Sequence, residues 1–262
     1  MKNFKNISLA LIALISLNSC SNDDDNITTD LSGTTQINFD AKVGTADFAL
    51  NTPFTINGQS LQFERLRYWV SDLKLVNAKN ETYTVPNSFF LIEETSAVAV
   101  QDGGFTYAAK KRESIDLTAV PSGTYTKIIF SVGVDATHND NMSIQAGELS
   151  QLNGMTNVSW MWHTSYIFSA LTGKNVTPAT PVAISVETGL NTNYRTIEIT
   201  LPTALVVSSK TAAKLNLNVA VEKIVKDIDL VANPKIAASK ATLITQVADN
   251  YKNNVFTVKS VE

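Results

Sequence analysis

Residues 215–222 read Leu-Asn-Leu-Asn-Val-Ala-Val-Glu, with an apolar side chain at every second position. An extended chain points successive side chains to opposite faces, so this pattern makes one apolar and one polar surface only in a β-strand. The same period runs through most of the chain. Residues 127–134 set Ile128, Phe130, Val132 and Val134 against Lys127, Ser131 and Gly133. Residues 65–70 alternate Arg65, Arg67 and Trp69 with Leu66, Tyr68 and Val70. The parity slips before Leu73 and Leu75, which predicts a bulge near Ser71-Asp72. Further strands are expected at 34–41, 88–93, 158–169, 182–188, 194–201 and 254–261. Turn chemistry at Asn57-Gly58, Asp102-Gly103-Gly104, Pro121-Ser122-Gly123, Gly173-Lys174-Asn175 and Thr188-Gly189 separates them. Only residues 234–250 read as helix, with Ile236, Leu243 and Val247 at helical spacing between Pro234 and Asn250. The expected fold class is all-β: a β-sandwich of antiparallel strands with one short helix near the C-terminus.

The first 20 residues follow a different logic. Lys2 and Lys5 precede an apolar run, residues 7–17, interrupted only by Ser8 and Ser16. The run falls short of the about 20 residues a spanning helix needs and has the length of an export-signal core. It ends in Leu17-Asn18-Ser19-Cys20, which resembles a lipobox, and Cys20 is the only cysteine of the chain. Cys20 is therefore the expected lipidation site. Residues 21–33 are expected to form a flexible acidic tether, because Ser-Asn-Asp-Asp-Asp-Asn offers almost nothing apolar to bury. The segment also resembles acidic tags that send lipoproteins to the outer face of an outer membrane. Losing Lys2 and Lys5 with the leader takes the net charge from −3 to −5. Such a balance argues against nucleic acid as a partner. A single folded domain, 34–262, is expected to follow the tether.

The chain has two histidines, His138 and His163, so imidazole chemistry must use one or both. His138 lies in the polar loop Asp135-Ala136-Thr137-His138-Asn139-Asp140-Asn141. His163 lies among aromatics in Trp160-Met161-Trp162-His163. In one extended segment, Trp160, Trp162, Tyr166 and Phe168 would share one face, and Met161 and His163 the other. Asp135, Asn139, Asp140 and Asn141 offer oxygens of the kind calcium takes, but not at the spacing of an EF-hand. A nucleophile elbow, a Walker loop, a dinucleotide fingerprint and closely spaced histidine pairs are all lacking, so no catalytic role is expected.

Several segments, taken in order, resemble the copper-binding MbnP-like domain of exported bacterial proteins. They are the Arg65–Leu75 strand with its Ser-Asp, and Pro121-Ser122-Gly123-Thr124-Tyr125 leading to Val132-Gly133-Val134. His138-Asn139, Met155, Trp160, Trp162, Tyr166 and Phe168 follow. The alternating strand at 215–221 and Asn253-Asn254-Val255-Phe256-Thr257-Val258 complete the series. The resemblance spans roughly residues 34 to 261. It implies a β-sandwich that binds copper and, in some members, a tryptophan oxidised to kynurenine near the metal. His138 matches the family's loop histidine. Glu187 stands where a strand-end histidine is expected, and a further histidine near the C-terminal helix has no counterpart. His163 occupies a position where the family has none.

These readings nominate His138, His163, Glu187 and Met161 as a mixed nitrogen, oxygen and thioether set for copper. Trp69, Trp160 and Trp162 are nominated as modified or platform aromatics. The first expectation is a lipid-anchored outer-membrane protein, cell-surface or periplasm-facing, that binds copper for acquisition or handling. Its partners would be the membrane through the Cys20 lipid and an outer-membrane transporter or a copper-linked redox protein. The alternatives are a glycan- or protein-binding module, and an accessory subunit of an outer-membrane assembly.

Overall fold

The computed structural model describes residues 28–100, 104–159 and 162–262. Nine strands carry the architecture: β1 (Thr28–Val43), β2 (Gln59–Asn77), β3 (Phe89–Thr95), β4 (Ser114–Val132), β5 (Trp162–Asn175), β6 (Val182–Gly189), β7 (Arg195–Val207), β8 (Ala213–Ala220) and β9 (Phe256–Val261). Two helices matter to the argument, α1 (Ala136–Asp140) and α2 (Ala241–Asn250). The strands form an all-β sandwich. In one layer β9 pairs β8, β8 pairs β1, and β1 pairs the first half of β4. In the other, β6 pairs β5, β5 pairs β2, and β2 pairs β3 and the second half of β4, which also pairs β7. Most pairings are antiparallel, as expected, but β1 and β8 run parallel.

The inner faces meet in a close-packed core. Phe39 of β1 lies 5.7 Å from Phe130 of β4, 6.3 Å from Tyr68 of β2 and 6.2 Å from Phe256 of β9, all edge-on. The alternation of residues 215–222 does what its pattern requires: Leu215, Leu217, Val219 and Val221 are fully buried. Leu66, Tyr68 and Val70 point into the same core. The bulge expected near Ser71-Asp72 is present. Asp72 adopts φ +49°, and the β2/β4 register slips between the Ile129–Lys74 and Ser131–Ser71 pairs. The slip returns Leu73 and Leu75 to the inner face.

Several boundaries differ from the sequence expectation. Pro121-Ser122-Gly123 is not a turn but the point at which β4 passes from one layer to the other. Ala119 at φ +58° and the Tyr125 hydroxyl, which donates to the Pro121 carbonyl at 2.8 Å, fix that crossing. Gly173 is likewise inside β5, where a Cβ would sit 2.0 Å from the Gln62 carbonyl oxygen. A glycine there serves close strand approach rather than reversal. Asn57-Gly58 does reverse the chain, with φ of +50° and +74°, the two-residue hairpin turn that favours this pair. The helix covers 241–250 and not 234–250, because Lys235 and Ile236 pair parallel with β6. The single strand expected at 158–169 is a hairpin: Thr156–Ser159 pairs the start of β5, with Val158 opposite His163. β1 begins at Thr28, ahead of the expected residue 34.

Candidate functional site

The β2–β3–β5 face turned away from the inner core carries a second core of its own. Trp69, Leu91, Phe168 and Ala170 from the sheet are covered by Val134, Met142, Leu149 and Met155 from residues 134–155. That excursion begins at Gly133 and brings α1 across the end of β5, so the only described histidine-bearing loop is clamped onto the sheet rather than free in solvent.

The clamp is a chain of side-chain amides. Asn139, itself buried, accepts from the Tyr166 backbone N–H at 2.8 Å and donates to Asn191 Oδ1 at 2.8 Å. Asn191 then donates to both oxygens of Asp140, at 2.8 and 2.9 Å. Asp135 caps α1: its Oδ1 accepts from the His138 backbone N–H at 3.2 Å. Its Oδ2 accepts from His138 Nδ1 at 2.8 Å. Asn141 is taken up by the backbone and hydroxyl of Ser143. The oxygens that could have suggested calcium are thus occupied by capping and bracing, and they do not converge on a cation.

His138 is the exception. A ring whose Nδ1–H donates to a carboxylate holds its lone pair on Nε2. That nitrogen makes no hydrogen bond among the described residues. Its ring packs on Phe89 at 4.6 Å between centroids, and 19% of the side chain remains accessible. A carboxylate that fixes tautomer and ring orientation is the arrangement found behind metal-bound histidines.

The other nominated ligands do not join it. Among the described residues no three His, Cys, Asp or Glu side chains gather as a metal site. His163 Nδ1 lies 2.7 Å from the Thr156 hydroxyl across the hairpin, half-buried. Glu187 follows Ile184 and Val186, which point into the inner core, so its side chain lies on the outer face of β6. Its carboxyl accepts from Ser185 at 3.4 Å, and burial raises its pKa above the ordinary 4.5. A carboxyl that burial favours in the protonated form is a weak partner for a cation until the cation arrives. Met161, Trp160 and Cys20 lie outside the described residues, and of Trp162 only the strand position is described. Trp69 is fully buried, edge-on to Tyr166 at 6.1 Å, which removes it as a stacking platform for a solvent ligand. Its Nε1–H and the Tyr166 hydroxyl are buried without a hydrogen-bond partner among the described residues.

The sequence reading missed a buried charge cluster on the same face. Arg67 and Glu93 are each 1% exposed and joined by two contacts, Nε–Oε2 at 2.9 Å and Nη2–Oε2 at 2.8 Å. Arg67 also donates to the Asn153 carbonyl at 2.7 Å, and the Tyr107 hydroxyl donates to Glu93 Oε1 at 2.6 Å. Burial lowers the Arg67 pKa, with Glu93 pulling it back up. The signal was present: Arg67 falls on the same side of its strand as Trp69, and Glu93 follows the apolar run Phe89 to Ile92. Either charge on a covered face demands a partner.

No curated protein matches this chain in sequence. Among solved structures, MbnP from Methylosinus trichosporium aligns over 76% of this chain and 78% of its own, at 14% identity and a TM-score of 0.49. The MbnP family model matches residues 32–241, most of the sandwich, and the chain belongs to that family.

Proposed function

We propose that the protein is a lipid-anchored copper-binding protein of the outer membrane, which holds the ion as cargo and passes it on by ligand exchange. The observation that carries the reading is the Asp135–His138 pair, an oriented and partly accessible imidazole whose Nε2 makes no hydrogen bond among the described residues, at the braced end of the sandwich. A neutral imidazole suits copper, which also stands highest in affinity among divalent first-row ions at such donors. His138 would be the anchoring ligand. His163 and Glu187 are candidates to complete the shell by side-chain movement, and Met161 is a further candidate by its thioether chemistry. An open, incomplete set is suited to exchange, since a closed four-ligand shell releases its ion slowly. Anchoring rests on Cys20 and the leader that precedes it. Among the described residues no helix is long and apolar enough to cross a membrane. No turnover is required of any residue.

The test is a cupric titration of the full chain, wild type beside His138→Ala and His163→Ala. One equivalent bound tightly, lost in the first variant and weakened in the second, supports the reading. Binding no stronger than that of an isolated surface histidine overturns it. For the anchor, Cys20→Ser should move the protein from the membrane fraction to the soluble one. Continued membrane retention would refute lipidation at that residue.

A further inference from the structure

Arg67 and Glu93 neutralise one another and hold Asn153 and Tyr107, two lining residues of a pocket of about 490 Å³ that the proposed copper site does not use. One wall comes from the hairpin of Val98–Val100 with Phe105–Tyr107. The opposite wall comes from Leu152 and Asn153 of the short turn at Gln151–Asn153, and Leu91 of β3 lies between. The volume falls in the range of small-molecule sites, roughly 300–1,000 Å³. Phe105 and Leu152 stand 40% and 42% exposed on it, two large apolar side chains left facing one concavity.

The charges around the pocket do not balance. Arg112 is paired with Glu148, whose Oε2 also accepts from the Leu91 backbone N–H at 2.9 Å. Among the described residues Lys110 has only Glu93 Oε1, at 3.4 Å, and that oxygen already accepts from Tyr107 while its carboxylate already pairs with Arg67. Lys110 is half-exposed, so its ammonium is a surplus cation at the mouth. The charged side chains among the described lining residues are Lys110, Arg112 and Glu148, a sum of +1 on a chain whose net charge is −3.

We propose that this pocket binds a small organic monoanion, a carboxylate on a flat apolar body. The carboxylate sits on Lys110 and the body lies between Phe105, Leu152 and Leu91. One surplus cation calls for one negative group. The apolar walls gain only from a ligand that displaces water from them. Tyr107 of the wall is held from behind, its hydroxyl donating to Glu93 and the Arg67 guanidinium lying 4.9 Å over its ring.

The probe is 3-phenylpropionate, titrated calorimetrically into the full chain, beside 3-phenylpropan-1-ol, which has the same body without the charge. The acid should bind at least about tenfold more tightly than the alcohol, and Lys110→Met should remove that advantage. Lys111→Met serves as control, because Lys111 pairs with Glu94 and Glu113 instead; it should leave binding unchanged. Phe105→Ser should weaken acid and alcohol alike. Equal affinity for acid and alcohol, full binding in Lys110→Met, or no heat from the acid at millimolar concentration would each overturn the proposal. None of these outcomes depends on copper.

Discussion

The inner and outer faces of the β2–β5 sheet are packed on different terms. The inner face is closed by a second sheet, and alternating aliphatic and aromatic side chains do the work; Phe39, Tyr68, Phe130 and Phe256 meet edge to face. The outer face is closed by loops and one turn of helix, and its core is laced with polar groups: Arg67, Glu93, Asn139, Asn153 and the unpaired Trp69 Nε1. A sheet can satisfy its own backbone and asks only for apolar cover. A loop brings backbone groups that need side-chain partners. The difference teaches where function can reside: the face that has to be braced by side chains is also the one that presents His138 and the pocket.

The comparison can be broken most directly in the inner core. Phe39→Ala should cost about 3–5 kcal/mol, the range for emptying a buried aromatic site, read as a lower denaturant midpoint at unchanged slope. A loss below about 1 kcal/mol would mean that the inner core is not the main source of stability. On the outer face, Glu93→Leu leaves Arg67 buried opposite no anion and should cost about 3 kcal/mol. Arg67→Met combined with Glu93→Leu should recover most of that loss. A double variant as unstable as the single one would show that packing, not charge, holds the cover. Asp135→Ala removes the α1 cap and should cost about 1 kcal/mol. It should also weaken copper binding, because His138 loses the group that sets its orientation; unchanged affinity would separate the cap from the site.

The smallest effect concerns Glu187. Burial raises its folded pKa above 4.5, so the folded chain keeps this proton over a range in which the unfolded chain has lost it. The folded state then binds more protons there, and stability falls as pH rises through the window. Below 4.5 the group makes no difference; above its folded pKa the cost is fully present. Glu187→Gln, neutral throughout, should therefore lose less stability than wild type as pH rises above 4.5. Parallel stability curves for the two proteins would contradict the sign.

What could be read from the sequence was set by period. Residues 215–222, the slip at Ser71-Asp72 and the Asn57-Gly58 turn are local statements, and a strand or turn obeys them wherever it sits. The errors came where tertiary context reassigns a local signal. Gly173 resembles a turn residue, yet it is glycine because the Gln62 carbonyl lies against it. Ile236 fits a helical period, yet it pairs with Val186 at a sheet edge. Val158 and Ser159 looked continuous with β5, whereas the register sets them opposite His163 and Trp162 as a separate strand. The site was half legible for the same reason. His138 stood out by its scarcity and its loop, and Asp135 as its partner follows from an i, i+3 cap. Whether His163 and Glu187 meet it depends on contacts between segments far apart in the chain, and no spacing encodes those.

In the proposed function the braced outer face presents His138 Nε2 to a copper ion. Electron paramagnetic resonance of the full chain with one equivalent of cupric ion tests it directly. The expected result is nitrogen hyperfine coupling from a bound imidazole, lost in His138→Ala and retained in His163→Ala at lower occupancy. A spectrum unchanged by His138→Ala, or one that shows only aquated copper, would contradict it.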